Sequence, residues 1–445
     1  MKLDDDDKKF VWHPYTQMND WIQWDNKVIV RGEGFYLIDK NGKKYLDGIA
    51  NMWCNVWGHG KNEIIDKMIH QLQNLPHSTL FGLCNAPSIE LAKEIINMAK
   101  GMDKVFYSDN GSAAIEIAMK IAVQYWRNKG KYGKKHFFSL EHAYHGDTVG
   151  AMSIGYSTKY FAPYKPLLSK VHKIPSPFFY KSRYKDQSEF KEACLEMTEN
   201  IFKKYAPTCS ALVMESGAQI AGGIIIYPDD YQKKISELCK KYEILLILDE
   251  IATGFGRLGN MAEYISQRSA PDLVCFGKAL TGGYFPLAVT LATENIFQQF
   301  LGDYFENKQL FHGHTFTGHP VGCSAALQNI MLYKKRNLIK QVKINAKYLG
   351  KRLHEFEKSF VVGDIRYKGL LAGIELAKNK KSIRILKDQT KINYFIMKES
   401  LKMGVFLRAL GNIIIVIPPL AIDRNDLEQL LNTLHKLLQK IEKEV

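Results

Sequence analysis

The sequence has no long apolar segment and no paired-cysteine motif, and both absences narrow the class of protein. No uninterrupted apolar run approaches the roughly 20 residues that span a bilayer. The N-terminal stretch MKLDDDDKKFVW has no apolar signal core, so we expect a cytosolic protein that does not associate with a membrane. The seven cysteines include no C-x-x-C pair, which argues against a disulfide framework and against a zinc site.

Internal repeats and low-complexity linkers are also absent. With 445 residues, 46% of them hydrophobic and 24% charged, the chain is long enough for two domains. The formal net charge is +15, but Lys and Arg are dispersed, and the cluster KNKKSIRILK at residues 378–387 is modest. Dispersed charge favours a solvated basic surface and no nucleic-acid partner; a basic nucleic-acid-binding protein is the alternative from a different class. The acidic run DDDDK at residues 4–8 matches a protease site of expression tags and is equally compatible with a native N-terminus.

The distribution of apolar residues predicts an α/β fold. Alternating apolar residues flank Asn41-Gly42 and predict a small antiparallel sheet within residues 32–53. Further along, short apolar strands alternate with amphipathic helices, which predicts a mostly parallel sheet with helices on both faces. One long helix is predicted for residues 324–358, followed by strands within 364–377, 405–410 and 412–418 and by a terminal helix. These patterns predict a large domain at residues 61–325 and a small α+β domain at residues 326–445, which the N-terminal segment 1–60 joins.

The stretch ILLILDEIATGFGR at residues 244–257 ends a buried strand on acidic residues. A buried carboxylate is costly without a positive partner, so Asp249 requires one. Lys278 follows the next predicted strand, DLVCFG. If these strands are neighbours, they lie about 4.8 Å apart, and both side chains meet at the carboxyl edge of the sheet, where ligands bind. A simple salt bridge would also satisfy both groups.

Two further features favour a bound cofactor at this edge. Glycines flank Lys278 in FGKALTGGYFP and permit a bulky group to approach closely. Upstream, YSDNGSAAIEIAMK is typical of a strand, a turn and a helix, and the free N–H groups at Gly111 and Ser112 suit a phosphate, although Asn or Ser there is also an ordinary N-cap. A lysine, a strand-end aspartate and a phosphate site together fit pyridoxal phosphate, with Lys278 as the Schiff-base lysine and Asp249 against the ring nitrogen.

Two other motifs allow competing interpretations. In EHAYHGDTVGAMS, residues 141–153, Tyr144 suits stacking on a planar cofactor and equally suits an ordinary buried tyrosine. His142 and His145 have no third ligand at matching spacing, so we expect no metal there. The segment GFGRLG at residues 254–259 matches the dinucleotide pattern G-x-G-x-x-G. Five residues separate it from the strand, and no acidic residue ends the next strand, so an NAD-dependent oxidoreductase is a distant alternative.

Jointly, the motifs resemble the class III pyridoxal-phosphate aminotransferases of fold type I. The likeness extends from HPYTQM at residues 13–18 to IPPL at residues 417–420 and includes DNGSAAIEIAMKIAVQYW, AYHGDTVGAMS, LDEIATGFGRLG, GKALTGG and HGHTFTGHP. It implies a mostly parallel seven-stranded sheet in the large domain. HPYTQM, AVQYW and DEIATGFGR resemble the branch of the class that acts in biotin biosynthesis. That branch converts 8-amino-7-oxononanoate to 7,8-diaminononanoate with S-adenosylmethionine as the usual amino donor. A decarboxylase, racemase or aminomutase on the same fold is a nearer alternative than the oxidoreductase, because these enzymes share the cofactor site.

The resemblance also implies roles for individual residues. Lys278 would hold the cofactor and move the proton, Asp249 would pair with the ring nitrogen, and Tyr144 would stack on the ring. Gly111 and Ser112 would bind the phosphate together with Thr315 of a second subunit, which implies a homodimer with composite sites. Arg408 would bind the oxononanoate carboxylate, since arginine suits bidentate carboxylate recognition. The other residues implied at the site are Tyr15, Trp53, Asp147, Gly313 and His314, with Glu215 and Gln219 on the cofactor side.

Four departures from the pattern of this branch bear on the amino donor. Two adjacent tryptophans are usual where this chain has Met52-Trp53, and a tyrosine is usual where it has Ile414-Ile415. The usual proline before the phosphate threonine is His314, and the usual Glu-Pro is Glu215-Ser216. Relatives that use lysine as donor exist as a class. Lysine as donor, or another class III omega-aminotransferase activity, is therefore the alternative.

Overall fold

The centre of the molecule is a seven-stranded, mostly parallel sheet. The computed structural model describes residues 3–155, 158–377 and 389–444; the basic cluster at 378–387 lies outside them. In spatial order the strands are Lys104–Ser108, Ala288–Ala292, Leu273–Phe276, Leu245–Asp249, Cys209–Glu215, His136–Leu140 and Val171–Ile174. Only the strand Ala288–Ala292 runs antiparallel to its neighbours. The α/β fold with a seven-stranded, mostly parallel sheet is therefore confirmed.

The core lies on both faces of this sheet. Along the strand that ends at Asp249, Leu246 and Leu248 belong to one buried apolar cluster, while Leu245 and Ile247 belong to a second cluster on the opposite face. A strand that is buried on both faces has no alternation of polar residues, which is why it appears in the sequence as a continuous apolar run. The long helix Gly111–Asn128 covers one face with ten buried residues.

Helices fill most of the remaining chain. The longer α-helices are Asn62–Asn74, Ala86–Met98, Gly111–Asn128, Gln187–Tyr205, Tyr231–Lys241, Pro320–Lys335, Leu338–Phe356, Gln389–Lys402 and Arg424–Glu444. The shorter ones are Leu3–Phe10, Met18–Gln23, Val149–Gly155, Thr158–Phe161, Glu263–Ser266 and Glu294–Gln298. Turns of 3-10 helix are Ala162–Leu167, Phe179–Lys181, Ala206–Thr208, Lys278–Thr281 and Tyr304–Glu306. None of the helices in the described ranges is both long and apolar enough to cross a membrane.

The N-terminal sheet is antiparallel, as predicted, and it gains a strand from the far end of the chain. Its strands are Ile29–Glu33, Tyr36–Asp39 and Lys44–Asp47, and Val405–Phe406 pairs in parallel with the last of them. At the predicted hairpin turn, the Asp39 carboxylate accepts hydrogen bonds from the N–H groups of Asn41 and Lys43 at 2.9 and 3.0 Å. Residues 50–53 are predicted to belong to this sheet, but they form a turn in which all four residues have positive φ.

Two predictions for the C-terminal part are wrong in detail. The predicted single helix 324–358 is two helices, Pro320–Lys335 and Leu338–Phe356, because Asn337 adopts a left-handed conformation with φ of 47°. The predicted single strand within 364–377 is a hairpin of Val362–Lys368 and Leu371–Leu376, which turns at Gly369 with φ of 61°. The sheet continues with Ile413–Val416 and Arg408–Leu410, and a two-stranded ladder joins Ala218–Gln219 to Ile225–Ile226. The helix Pro320–Lys335 continues across the predicted domain boundary between residues 325 and 326. The division into two domains at that boundary stays a prediction.

Candidate active site

The carboxyl edge of the central sheet brings Asp249 and Glu215 side by side. The two strands are parallel, and Asp249 pairs in register with Glu215 on one side and with Cys275 on the other. Lys278 follows three residues after Cys275, so the predicted adjacency of the aspartate and lysine strands is confirmed. Asp249 and Glu215 are each 5% exposed. Two buried acids on adjacent strand ends form an electrostatic arrangement that a purely structural sheet edge avoids.

Asp249 is oriented by two hydrogen-bonding partners. Its Oδ2 lies 2.8 Å from Nδ1 of His145, and its Oδ1 accepts the Ile251 N–H at 3.0 Å. His145 is buried, and among the described residues its Nε2 has no hydrogen-bond partner. This pair fixes the direction of the carboxylate, in the way that outer residues orient the functional groups of a site. His145 therefore belongs to the site as a positioning residue, which the sequence analysis missed.

Glu215 is held by backbone groups. Its two carboxylate oxygens accept the N–H of Ile220 at 2.9 Å and that of Tyr144 at 3.4 Å. Burial, reinforced by the negative charge of Asp249, raises the pKa of Glu215 to about 8. A pKa of about 8 means that Glu215 holds a proton near neutral pH. Gln219, expected on the cofactor side, instead donates to the Glu141 carbonyl at 2.7 Å and accepts from Ser176, so its amide is occupied by the protein.

Lys278 occupies a strained turn at the end of its strand. Its φ is 44°, a left-handed conformation that costs energy in a non-glycine residue and is typical of functional sites. The amine is half-buried and lies 5.1 Å from the centre of the Trp53 ring. Burial lowers the pKa of Lys278, although the charges of Asp249 and Glu215 oppose this effect. A lowered pKa increases the fraction of neutral amine, the form that attacks a carbonyl.

The predicted phosphate site lies at the start of the helix Gly111–Asn128, and its binding of a phosphate stays a prediction. Asn110 is its N-cap, with the side-chain oxygen accepting the Ala113 N–H at 3.0 Å, so the ordinary capping interpretation is correct for this residue. The N–H groups of Gly111 and Ser112 have no intrahelical acceptor by helix geometry and stay available for an anion. A side chain at position 111 would meet Ile251, since a Cβ there would lie 2.9 Å from Cγ2 of Ile251. The first turn is therefore narrow, and glycine keeps its backbone accessible.

Ser112 connects this turn to the segment that carries Tyr144 and Asp147. Its Oγ accepts the Asp147 N–H at 3.3 Å. Gly146, with φ of 122°, leaves room for Ser112, because a Cβ at position 146 would lie 2.0 Å from that hydroxyl. The Asp147 carboxylate accepts hydrogen bonds from the hydroxyl of Tyr144 at 3.1 Å and from that of Tyr15 at 2.6 Å. The structure thus brings Tyr15, Tyr144 and Asp147 together at the rim of the site, and burial raises the pKa of both tyrosines.

The turn Ala50–Trp53 joins the lysine side of the site to the arginine side. All four residues have positive φ, from 46° to 77°. Trp53 is 6% exposed and faces Lys278, and within the described residues its indole N–H has no acceptor. Met52 points the other way, and its sulfur lies 3.4 Å from Nη1 of Arg408. One strained turn therefore sets the relative positions of the groups around Lys278 and Arg408.

Arg408 is half-buried, and burial lowers its pKa. In the described part of the chain no carboxylate forms an ion pair with it. Directly across the strand pair lies Ile415, which is 2% exposed and occupies the region where a tyrosine was expected. A desolvated guanidinium without an acidic partner is a favourable site for a substrate carboxylate.

Gly313, His314 and Thr315 follow Phe311, whose carbonyl accepts a hydrogen bond from Lys120 of the helix Gly111–Asn128. His314 lies 2.8 Å from the Asp109 carboxylate and 3.2 Å from His312. Gly313 packs against Phe81, since a Cβ at position 313 would lie 2.4 Å from Cζ of Phe81. Thr315 is exposed. Their roles at the cofactor and the substrate stay predictions.

The residues around Lys278 fit pyridoxal phosphate. The amine of the half-buried Lys278, the buried carboxyl group of Asp249 and the narrow first turn at Gly111 match its aldehyde, ring nitrogen and phosphate, respectively. Met52 and His145 are the two contacts that sequence reasoning did not assign. Their signals were present, since Met52 adjoins Trp53 and His145 adjoins Tyr144, but neither spacing reveals a partner more than 100 residues away.

Comparisons with known proteins identify the family of this chain. The family described as Aminotransferase class-III matches residues 22–438. A protein of Methanocaldococcus jannaschii named adenosylmethionine-8-amino-7-oxononanoate aminotransferase is 41% identical, with 98% of this chain and 97% of that protein covered. Its crystal structure has a TM-score of 0.93, with 98% of each chain covered. A protein of Aquifex aeolicus with the same name is 40% identical, with 99% and 97% covered. The omega transaminase from Pseudomonas jessenii in complex with PMP is 28% identical, with a TM-score of 0.95 and coverage of 100% and 99%.

Proposed function

This chain belongs to the class III aminotransferases, which depend on pyridoxal 5'-phosphate, and we propose that it aminates 8-amino-7-oxononanoate to 7,8-diaminononanoate, a step of biotin biosynthesis. The proposed amino donor is S-adenosylmethionine, because the relatives from Methanocaldococcus jannaschii and Aquifex aeolicus are named adenosylmethionine-8-amino-7-oxononanoate aminotransferases. The observation that carries the choice of acceptor is Arg408. This acceptor bears a carboxylate far from its reacting ketone, and Arg408 offers a desolvated guanidinium beside the site.

The bound cofactor supplies an electron sink that stabilises negative charge on the substrate carbon. Asp249 would pair with the protonated ring nitrogen, and His145 keeps its carboxylate in the required direction. A charge separation near 4 Å at an effective dielectric of about 20 contributes roughly 4 kcal/mol to this proton. Lys278 acts first as the nucleophile and then as the base that accepts and returns a proton at the substrate carbon. Its lowered pKa favours both roles.

The remaining residues arrange the substrate and the ring. Tyr144 would stack on the ring of the cofactor, and its hydroxyl is fixed by Asp147. Tyr15 meets the same carboxylate from the N-terminal segment, which places a hydroxyl at the substrate entrance. Trp53 lies next to Lys278, and its indole N–H, which has no acceptor among the described residues, would be available to an acceptor on the substrate.

Lysine is the alternative donor. The observation that favours it is the apolar environment of Arg408, where Met52 and Ile415 stand in place of the aromatic residues expected for S-adenosylmethionine. A smaller aliphatic donor needs less aromatic surface than an adenine-bearing one.

A visible spectrum during donor titration tests the proposal. The holoenzyme is mixed with S-adenosylmethionine in one cuvette and with lysine in another, and the cofactor band is followed. We expect loss of the band with S-adenosylmethionine and its return on adding 8-amino-7-oxononanoate. Loss with lysine alone would reassign the donor, and a band that this keto acid does not restore would refute the acceptor. As the control, Lys278→Ala should retain no borohydride-reducible adduct at a lysine.

We also propose that the enzyme is a homodimer in which Thr315 reaches the phosphate of the partner subunit. The large exposed apolar side chains Phe81, Leu83, Phe311 and Phe316 support it, because they lie around the same segment. That segment is held along the phosphate helix, with Lys120 donating to the Phe311 carbonyl at 2.9 Å.

Mixing two inactive variants tests the composite site. Lys278→Ala and Thr315→Ala dimers, each of low activity, should form a mixed dimer in which one site has both native residues. We expect activity to return on subunit exchange toward the level of one native site per mixed dimer. Absence of recovery in verified mixed dimers would show that Thr315 serves its own subunit.

We propose the cytoplasm as the location of the enzyme. All seven cysteines carry free thiols, and five of them are buried, which suits a reducing compartment.

A further inference from the structure

The acidic run DDDDK at residues 4–8 has no role in the proposed function, yet it is built into the fold. It lies within the helix Leu3–Phe10, and Asp4 forms an ion pair with Lys40 of the N-terminal sheet. The side chain of Asp7 is 22% exposed. A disordered tail would leave these carboxylates in solvent, so the run is part of the folded N-terminal segment.

Asp7 is the centre of a hydrogen-bond cluster that spans this segment. Its Oδ1 lies 2.9 Å from Nε2 of His13, and its Oδ2 accepts the indole N–H of Trp21 and the amide of Asn26, both at 2.9 Å. The rings of His13 and Trp21 lie 4.3 Å apart. Burial opposes ionisation of Asp7, but the hydrogen bonds from Trp21 and His13 lower its pKa overall. One carboxylate thus ties together three side chains at positions 13, 21 and 26.

Tyr15 lies between two of these tied positions. Its φ is 52°, which is unfavourable for a tyrosine and persists only where the surroundings hold it. Tyr15 is 62% exposed, so burial of its own side chain does little to fix this conformation. In this conformation its hydroxyl donates to Asp147 at 2.6 Å. The Asp7 cluster holds His13 on one side of Tyr15 and Trp21 on the other, and the ring of Tyr160 lies 6.1 Å from that of Tyr15.

We propose that Asp7 is a positioning residue for the active site: it holds residues 3–26 in the arrangement in which the Tyr15 hydroxyl meets Asp147. The inference rests on the proposed function in one respect, namely that Tyr15 and Asp147 contact the substrate. In this proposal the acidic helix Leu3–Phe10 keeps Tyr15 in contact with Asp147 at the substrate entrance.

Proteolysis of the full-length holoenzyme tests, without any activity measurement, whether the Asp7 cluster holds the N-terminal segment. Enteropeptidase cleaves after DDDDK, and proteases act on extended rather than helical chain, so native protein should resist cleavage after Lys8. Trp21→Phe leaves the run intact, keeps the ring and removes one donor to Asp7. We expect cleavage to accelerate roughly tenfold, the effect of losing one hydrogen bond to a charged group. An unchanged rate would overturn the proposal.

Steady-state kinetics test the connection to Tyr15. Asp7→Ala is compared with Asp5→Ala, an exposed position on the same helix, in the native and Tyr15→Phe backgrounds. We expect Asp7→Ala to raise KM for the acceptor by about tenfold with little change in kcat, and to add nothing once Tyr15 is phenylalanine. Asp5→Ala should match the native enzyme.

An equal loss from Asp7→Ala in both backgrounds would overturn the proposal, because Asp7 would then act independently of Tyr15. If the native enzyme does not turn over the proposed substrates, the proposed function fails. The proteolysis result still decides whether the Asp7 cluster holds the N-terminal segment.

Discussion

Replacing Asp249 with asparagine isolates the charge at the end of the central strand. Asparagine keeps the size of the side chain and an acceptor for the Ile251 N–H, and it removes the negative charge. The roughly 4 kcal/mol that this charge contributes at about 4 Å corresponds to about three pKa units on the ring nitrogen. Without it, the ring of the bound cofactor loses its proton near neutral pH and no longer withdraws electrons. We therefore expect proton removal from the donor to slow by up to about a thousandfold.

The assay is stopped-flow absorbance of reconstituted enzyme mixed with the donor. Reconstitution of Asp249→Asn with N-methylated pyridoxal phosphate, whose ring charge is permanent, should restore most of the lost rate. His145→Ala keeps the charge of Asp249 and loses only its orientation, so it should cost roughly tenfold, as one charged hydrogen bond does. A loss below about tenfold in Asp249→Asn, or a failure of the methylated cofactor to restore the rate, would refute the electrostatic role.

Two further predictions concern the arginine and a second buried acid. Arg408→Leu should raise KM for the oxononanoate by roughly 10- to 100-fold while the donor half-reaction changes much less; equal losses in both half-reactions would contradict carboxylate binding at Arg408. Burial raises the pKa of Glu250 from its ordinary value of 4.5 to about 8, although the N–H groups of Glu263 and Tyr264 oppose this. The native state then holds a proton that the unfolded chain has lost, so this contribution to stability is complete below pH 4.5 and is lost as the pH rises through about 8. Denaturant unfolding at several pH values measures this contribution. Between pH 5 and 8, the free energy of unfolding should fall with pH less steeply in Glu250→Gln than in the native protein, and the two slopes should differ by about 1.4 kcal/mol per pH unit. Equal slopes would contradict the assignment.

The strands that carry the site could be predicted from sequence because they are buried on both faces. Such strands appear as apolar runs, and the first polar residue after each run marks the edge of the sheet where ligands bind. Asp249 and Lys278 follow from this rule, and so does the phosphate turn at Gly111. The antiparallel direction of the strand Ala288–Ala292 could not be predicted in this way, because a local apolar pattern does not specify the direction of a strand or its neighbours in the sheet.

Predictions failed where a single backbone angle decides the path of the chain. The amphipathic pattern continues across Asn337, so periodicity predicts one helix, whereas a φ of 47° at that residue starts a second one. The turn Ala50–Trp53 continues an apolar strand pattern and departs from it because four successive residues are left-handed. A side-chain pattern reports which face is buried, and it contains little information about φ in residues other than glycine and proline. The contact of Met52 with Arg408 depends on this turn and was inaccessible for the same reason.

The pairing of Asp249 with Glu215 explains why the strand ends on an acid. Two carboxylates on adjacent buried strand ends cannot both be charged at low cost, so one of them is favoured to hold a proton. Glu215 accepts only backbone N–H groups, and burial beside Asp249 raises its pKa to about 8. Asp249 has a histidine as well as a backbone N–H and stands on the strand next to that of Lys278. Asp249 is thus the acid of the pair that a side chain orients and that lies next to the Lys278 strand, the position that a cationic ring nitrogen would require. Because protonated Glu215 is already neutral, Glu215→Gln should leave the reaction at neutral pH largely intact, whereas Asp249→Asn should abolish most of it.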